Sequence, residues 1–112
     1  MITRLVKLTL DPSKEDEFTA LFEENKSRIS GSEGCVEVSL HKDVSNPGVL
    51  FTISRWETEQ HLNDYRESPL FGAIWPTVKH WMIDKPEAWS MCQAKRLSSA
   101  SRNESFLVAM FE

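Results

Sequence analysis

No run of apolar residues in this sequence approaches the ~20 that a helix needs to cross a bilayer, so no membrane span is expected. No charged segment followed by an apolar one opens the chain, and the expectation is a cytoplasmic protein. A basic run is missing too. A net charge of −4 over 112 residues offers no phosphate-tracking surface, which argues against a nucleic-acid partner. Cysteine is scarce: Cys35 and Cys92 lie far apart and form no CxxC. Without a secretion signal they read as reduced, at least partly buried thiols rather than a disulfide. His41, His61 and His80 sit on different segments with no partner at ligand spacing, so no metal site is expected. There is no GxGxxG, no P-loop and no GxSxG elbow, so no motif indicates a nucleotide, a flavin or a nucleophilic serine.

What the chain does have is tryptophan, concentrated in one place. Three of its four tryptophans, Trp56, Trp75 and Trp81, fall between Arg55 and Met82. A chain of this length is one domain and buries roughly 65% of its unfolded surface, so a partner would help its modest core. Residues 2–10, ITRLVKLTL, alternate as a strand, with Ile2, Val6, Leu8 and Leu10 on one face. Arg4 shares that apolar face. It either snorkels to solvent from the strand end or clamps an anion in a pocket. Asp11-Pro12 ends the strand and opens a helix, capped by Asp11 or by Ser13. Phe18, Leu21, Phe22 and Ile29 form its inward stripe, and Glu24 and Arg28 an outward i,i+4 pair.

Cys35 to His41 alternates again, with Val36, Val38 and Leu40 opposite Cys35, Glu37, Ser39 and His41. DVSNPG, residues 43–48, is a turn, and Val49 to Trp56 is the returning strand of a hairpin. Both faces of these strands carry apolar groups. One helical layer covers one face, so a second chain is the simplest cover for the other. Thr58 caps the next helix, which carries Leu62 and Tyr65, and Ser68-Pro69 caps another through Trp81. Pro76 lies inside that last helix, removes the bond to the Gly72 carbonyl, and is expected to kink or break it. Either a cleft opens beside it or the helix is only a bent part of the core. A long strand is expected from Glu87 to Leu97, then a polar linker and an apolar tail, Phe106 to Phe111, packed on the domain or its partner. The fold class is α+β: a ferredoxin-like split βαβ with a four-stranded antiparallel sheet, over residues 1–97, with residues 98–112 as a C-terminal tail.

Three strings in order carry a family resemblance. Ser32-Glu33-Gly34-Cys35 is similar to an E-P-G-C opening of strand two. Asn46-Pro47-Gly48 is similar to a hairpin turn. Trp56-Glu57-Thr58 with Ser68-Pro69-Leu70-Phe71 is similar to W-E-S…S-P-H-F. Together they resemble the antibiotic biosynthesis monooxygenase (ABM) family. That resemblance implies a homodimeric α+β barrel and a monooxygenase working without a bound cofactor, in which the anion of a small phenol- or quinol-like aromatic gives an electron to dioxygen. Such chemistry needs an apolar slot, a proton acceptor and a donor to hold the anion.

The sequence departs from the family pattern in several places. Histidines of many members stand where this chain has Tyr65 and Leu70. The asparagine, tryptophan and histidine of the related haem-degrading enzymes fall at Val6, Tyr65 and Trp75, so haem degradation is not implied. Candidate substrate-binding residues are Trp56, Tyr65, Phe71, Trp75, Trp81 and Arg4, with Phe51 a further aromatic; for each aromatic, core packing is the competing explanation. Tyr65 and His61 are the catalytic candidates, Tyr65 as a donor and His61 as a pocket base, while His41 and His80 read as surface. The rival function is a non-catalytic ligand-binding or stress-related protein of the same fold.

Overall fold

The computed structural model describes residues 1–94. Four strands, β1 (Ile2–Thr9), β2 (Cys35–Lys42), β3 (Val49–Trp56) and β4 (Glu87–Met91), form one antiparallel sheet in the order β2-β3-β1-β4. Three helices, α1 (Glu15–Ser30), α2 (Glu59–Arg66) and α3 (Pro69–Trp81), complete the two split βαβ units. This is the expected α+β, ferredoxin-like architecture.

Local chemistry sets the boundaries. Asp11 Oδ1 accepts from the Ser13 amide at 2.9 Å, and Pro12 begins a short 3-10 turn that leads into α1. Thr58 and Ser68 cap α2 and α3 by accepting from the His61 and Phe71 amides. Asp43 Oδ2 accepts from the Ser45 and Asn46 amides and closes the β2–β3 hairpin. Helix α3 is not broken at Pro76; it runs continuously to Trp81. Its far end is tied back to the sheet: the Ile83 amide donates to the Thr9 carbonyl at 2.9 Å, and the Asp11 amide to the Trp81 carbonyl at 2.9 Å.

Strand register sorts the sheet into two faces. Toward the helices run the rows Val38–Ser54–Arg4–Ser90, Leu40–Thr52–Val6–Ala88 and Lys42–Leu50–Leu8. Leu8, Leu10, Leu50, Phe18 of α1 and Val78 of α3 form the buried core, with Trp75 and Trp81 packed against it. Each such fully buried side chain is worth about 1.5–3 kcal/mol of hydrophobic stabilisation. The opposite face carries Ser39–Ile53–Leu5–Trp89 and His41–Phe51–Lys7–Glu87, with no helix over it among the described residues. On that face Trp89 and Met91 are 42% and 45% exposed.

Four expectations are corrected. A β-bulge between Cys35 and Glu37 interrupts the alternation of β2. It aligns Cys35 with Trp56 and leaves Val36 exposed, because the extra residue shifts the pleat by one. Strand β4 spans five residues and ends at Met91, short of the expected Leu97. Cys92 is exposed rather than partly buried, since it lies past the end of β4; Cys35 is half-buried, and both are free thiols. Arg28 does not pair with Glu24: its Nη1 turns to Asn25 Oδ1 at 3.5 Å. The expected tail, residues 98–112, lies outside the described residues.

Candidate functional site

A cavity of about 350 Å³ lies between the helical layer and the inner face of the sheet. The sheet supplies Arg4, Val6 and Leu8 from β1, Val38 from β2, and Thr52, Ser54 and Trp56 from β3. Helix α1 contributes Phe18, Leu21, Phe22, Asn25 and Ile29. Helix α2 contributes Leu62, Tyr65 and Arg66, and α3 contributes Phe71, Ile74, Trp75 and Val78. Pro86 and Ala88 close the side next to β4.

Four aromatic rings line one wall in sequence. The Trp56 and Tyr65 centroids are 5.0 Å apart with the planes tilted by 31°. Tyr65 meets Phe71 edge-on at 5.5 Å, and Phe71 stacks on Trp75 at 5.8 Å and 11°. Contacts of this kind are worth about 0.5–1.5 kcal/mol each beyond their burial. The anchor is Trp56, fully buried at the strand end, whose Nε1 donates to Ser54 Oγ at 2.9 Å. Phe71 and Trp75 stay half-buried because one side of each ring faces the cavity rather than packed protein.

Polar groups collect at one side. Arg4 stands on the inner face in register with Ser54 and Ser90, and its Nη1 donates to Ser90 Oγ at 2.9 Å. Arg66, the last residue of α2, lines the same cavity and is exposed, which places it at the solvent edge. Partial burial, and then the neighbouring charge of Arg66, lower the Arg4 pKa from its usual guanidinium value. Burial, assisted by Cys35, pushes the Tyr65 phenol up to about 12, so it stays protonated. Among the described residues, the titratable side chains in the lining are Arg4, Tyr65 and Arg66.

Arg4, Trp56, Tyr65, Phe71 and Trp75 therefore meet in one cavity. Trp81 does not join them: it packs against the core cluster at the end of α3, beyond Val78. Phe51 points to the opposite face of the sheet. His61 is outside the lining as well. Its ring packs on Gly34, whose φ of +79° and lack of a Cβ leave the ring room, and its Nδ1 lies 2.8 Å from Thr58 Oγ1. His41 and His80 are exposed.

Asn25 and Arg66 are among the lining residues that were not singled out in the sequence. Asn25 is buried with its Nδ2 donating to the Leu21 carbonyl at 2.9 Å. The signal for it was present, since Asn25 interrupts the apolar stripe between Phe22 and Ile29. Arg66 follows no periodic pattern, and only the fold brings it to Arg4.

Comparison with known proteins fits this geometry. The antibiotic biosynthesis monooxygenase family matches residues 1–75. Among solved structures, a conserved protein from Methanosarcina mazei Go1 superposes with a TM-score of 0.77 at 23% identity, covering 83% of this chain and 93% of that one. A structure described as an antibiotic biosynthesis monooxygenase gives 0.79 at 17% identity, covering 85% and 100%. A Mycobacterium tuberculosis protein, Rv0793, gives 0.77 at 15%, covering 87% and 98%. At these identities the structural likeness is one of fold. None of the curated proteins matches the chain. With a family match across two thirds of its residues, the chain belongs to the antibiotic biosynthesis monooxygenase family.

Proposed function

We propose that this protein oxidises a small phenol- or quinol-like aromatic with dioxygen, using no bound cofactor. The observation that carries this reading is the ring series Trp56–Tyr65–Phe71–Trp75 along a cavity large enough for a fused-ring aromatic. Family membership supports it.

The steps follow from the lining. A flat substrate lies along the aromatic wall, and the protonated Tyr65 hydroxyl donates to its phenolic oxygen. The positive field of Arg4 and Arg66 favours the phenolate. No carboxylate or imidazole lines the cavity among the described residues, so water takes the phenolic proton. The phenolate passes one electron to dioxygen. The resulting radical and superoxide combine at a ring carbon, and loss of water leaves a quinone carbonyl. One oxygen atom enters the product and the other leaves as water. His61, held against Gly34 and Thr58, has no part in this scheme.

The partly apolar outer face of the sheet, with Leu5, Phe51, Ile53, Trp89 and Met91, is the surface we assign to a second copy of the chain. Pairing two sheets there would build the homodimeric barrel that the family resemblance implies.

The same lining favours a second reading. A cavity with no general base among the described residues suits a non-catalytic protein that stores or senses an aromatic ligand. Oxygen uptake separates the two. Incubated with 1-naphthol and a panel of hydroquinones, the wild-type protein should consume dioxygen above the blank, and Tyr65→Phe should consume it more slowly. Binding without uptake across the panel would select the non-catalytic reading.

A further inference from the structure

Arg4 and Arg66 pose a problem that the chemistry above does not use up. Both line the cavity, and no ion pair ties either of them to a carboxylate among the described residues. Arg55, by contrast, pairs with Glu37, Lys42 with Glu15 and Lys7 with Glu87. Among the described residues Arg28 also lacks an ion pair, but it lies outside the cavity lining with its Nη1 on Asn25 Oδ1; Arg4 and Arg66 are the two unpaired guanidiniums that line the cavity. Arg4 is only half exposed and spends one donor on the neutral Ser90 hydroxyl, which neutralises nothing. Two like charges beside an apolar cavity repel each other, and a guanidinium at a partly buried site costs desolvation energy.

The arrangement is also directional. The inner-face row Val38–Ser54–Arg4–Ser90 is polar, whereas the next rows, through Thr52, Val6 and Ala88 and then Leu50 and Leu8, become apolar and buried. A flat ring system with its body over Val6 and Trp75 would put one end beside the arginines and the other in the core. Guanidinium presents a planar fork of donors that matches a carboxylate better than any neutral group.

We infer that the natural ligand is an aromatic acid: its ring system lies along the Trp56–Trp75 wall and its carboxylate sits between Arg4 and Arg66. The inference rests on the reading of the cavity as an aromatic site and adds the charge of its occupant. One carboxylate neutralises one of the two charges. A net positive charge remains to favour the phenolate of a hydroxylated ring.

Titration calorimetry with 2-naphthoate and 2-naphthamide, which share a shape and differ in charge, tests this on the full chain. Wild type should bind the acid more tightly than the amide by about tenfold or more, as a charge-assisted bond in place of a neutral one requires. That preference should shrink at high salt. Arg4→Gln and the exposed Arg66→Gln should each weaken the acid and leave the amide unchanged, and Trp75→Leu should weaken both. Equal affinity of wild type for the two compounds overturns the inference and leaves the aromatic site standing, as does an equal loss for both in Arg4→Gln and Arg66→Gln. Failure of wild type to bind either compound overturns both.

Discussion

The rings of Trp56 and Tyr65 meet with their centroids 5.0 Å apart, joining the end of β3 to the last turn of α2. One ring is fully buried and hydrogen-bonded, while the other faces the cavity and has a hydroxyl with no partner among the described residues. The pair therefore marks where core ends and site begins.

Tyr65 is the chain's single tyrosine, so tyrosinate absorbance reports it alone. Its ionisation should be centred near 12 rather than at the ordinary 10.0. Below pH 10 the phenol is neutral folded or unfolded, and it contributes no pH dependence. Above pH 10 the unfolded chain loses this proton before the folded one, so stability falls as pH rises toward 12. A spectrophotometric titration checks this; half-ionisation at pH 10 in the folded protein would contradict it.

Trp56 and Trp75 should separate by urea unfolding. Trp56→Ala empties a fully buried site and should cost about 3–5 kcal/mol. Ser54→Ala strands the buried indole N–H and should cost about 1–3 kcal/mol. Trp75→Leu, at a half-buried position facing open space, should cost only about 1 kcal/mol while weakening aromatic ligands. Equal losses for Trp56→Ala and Trp75→Leu would place Trp75 in the core.

Gly34→Ala should be severe for two separable reasons. Its φ of +79° strains any side chain by about 1–3 kcal/mol, and the new Cβ would collide with the His61 ring. A double-mutant cycle divides the two. His61→Ala should recover the steric part and leave the backbone strain, giving a coupling of about 0.5–3 kcal/mol. Additive losses would show that the ring moves away freely.

Dimerisation through the outer sheet face predicts a light-scattering mass twice the 12.9 kDa of the chain at micromolar concentration. Trp89→Glu places a charge on that face, on the edge strand β4 beside Leu5, and should yield monomers. A wild-type protein already monomeric would remove the assignment.

The sequence made some of these features readable and hid others. Period-two alternation in residues 2–10 and 49–56, and the caps at Asp11, Thr58 and Ser68, are local signals, and local chemistry decided them. The five cavity residues Arg4, Trp56, Tyr65, Phe71 and Trp75 stood out because an arginine on an apolar face and a cluster of aromatics are unusual wherever they occur. The bulge that exposes Val36 left no trace, since it depends on how β2 registers against β3. The same holds for Arg66, whose place beside Arg4 follows from packing α2 on the sheet. Trp81 looked like Trp75 in sequence, six residues apart on one helix; its position at the tied-down end of α3 takes it out of the cavity lining. His61 stood out as a candidate pocket base, but its actual neighbour, Gly34, lies in a distant loop.

Isotope-labelled dioxygen tests the central claim most directly. Incubation of the protein with 1-naphthol under heavy-oxygen gas should yield 1,4-naphthoquinone carrying one heavy atom, by mass spectrometry, with the second heavy atom in water. Yield should scale with protein and drop in Tyr65→Phe and Arg4→Gln. Quinone without the label, or labelled quinone at the rate of the protein-free blank, would contradict the account.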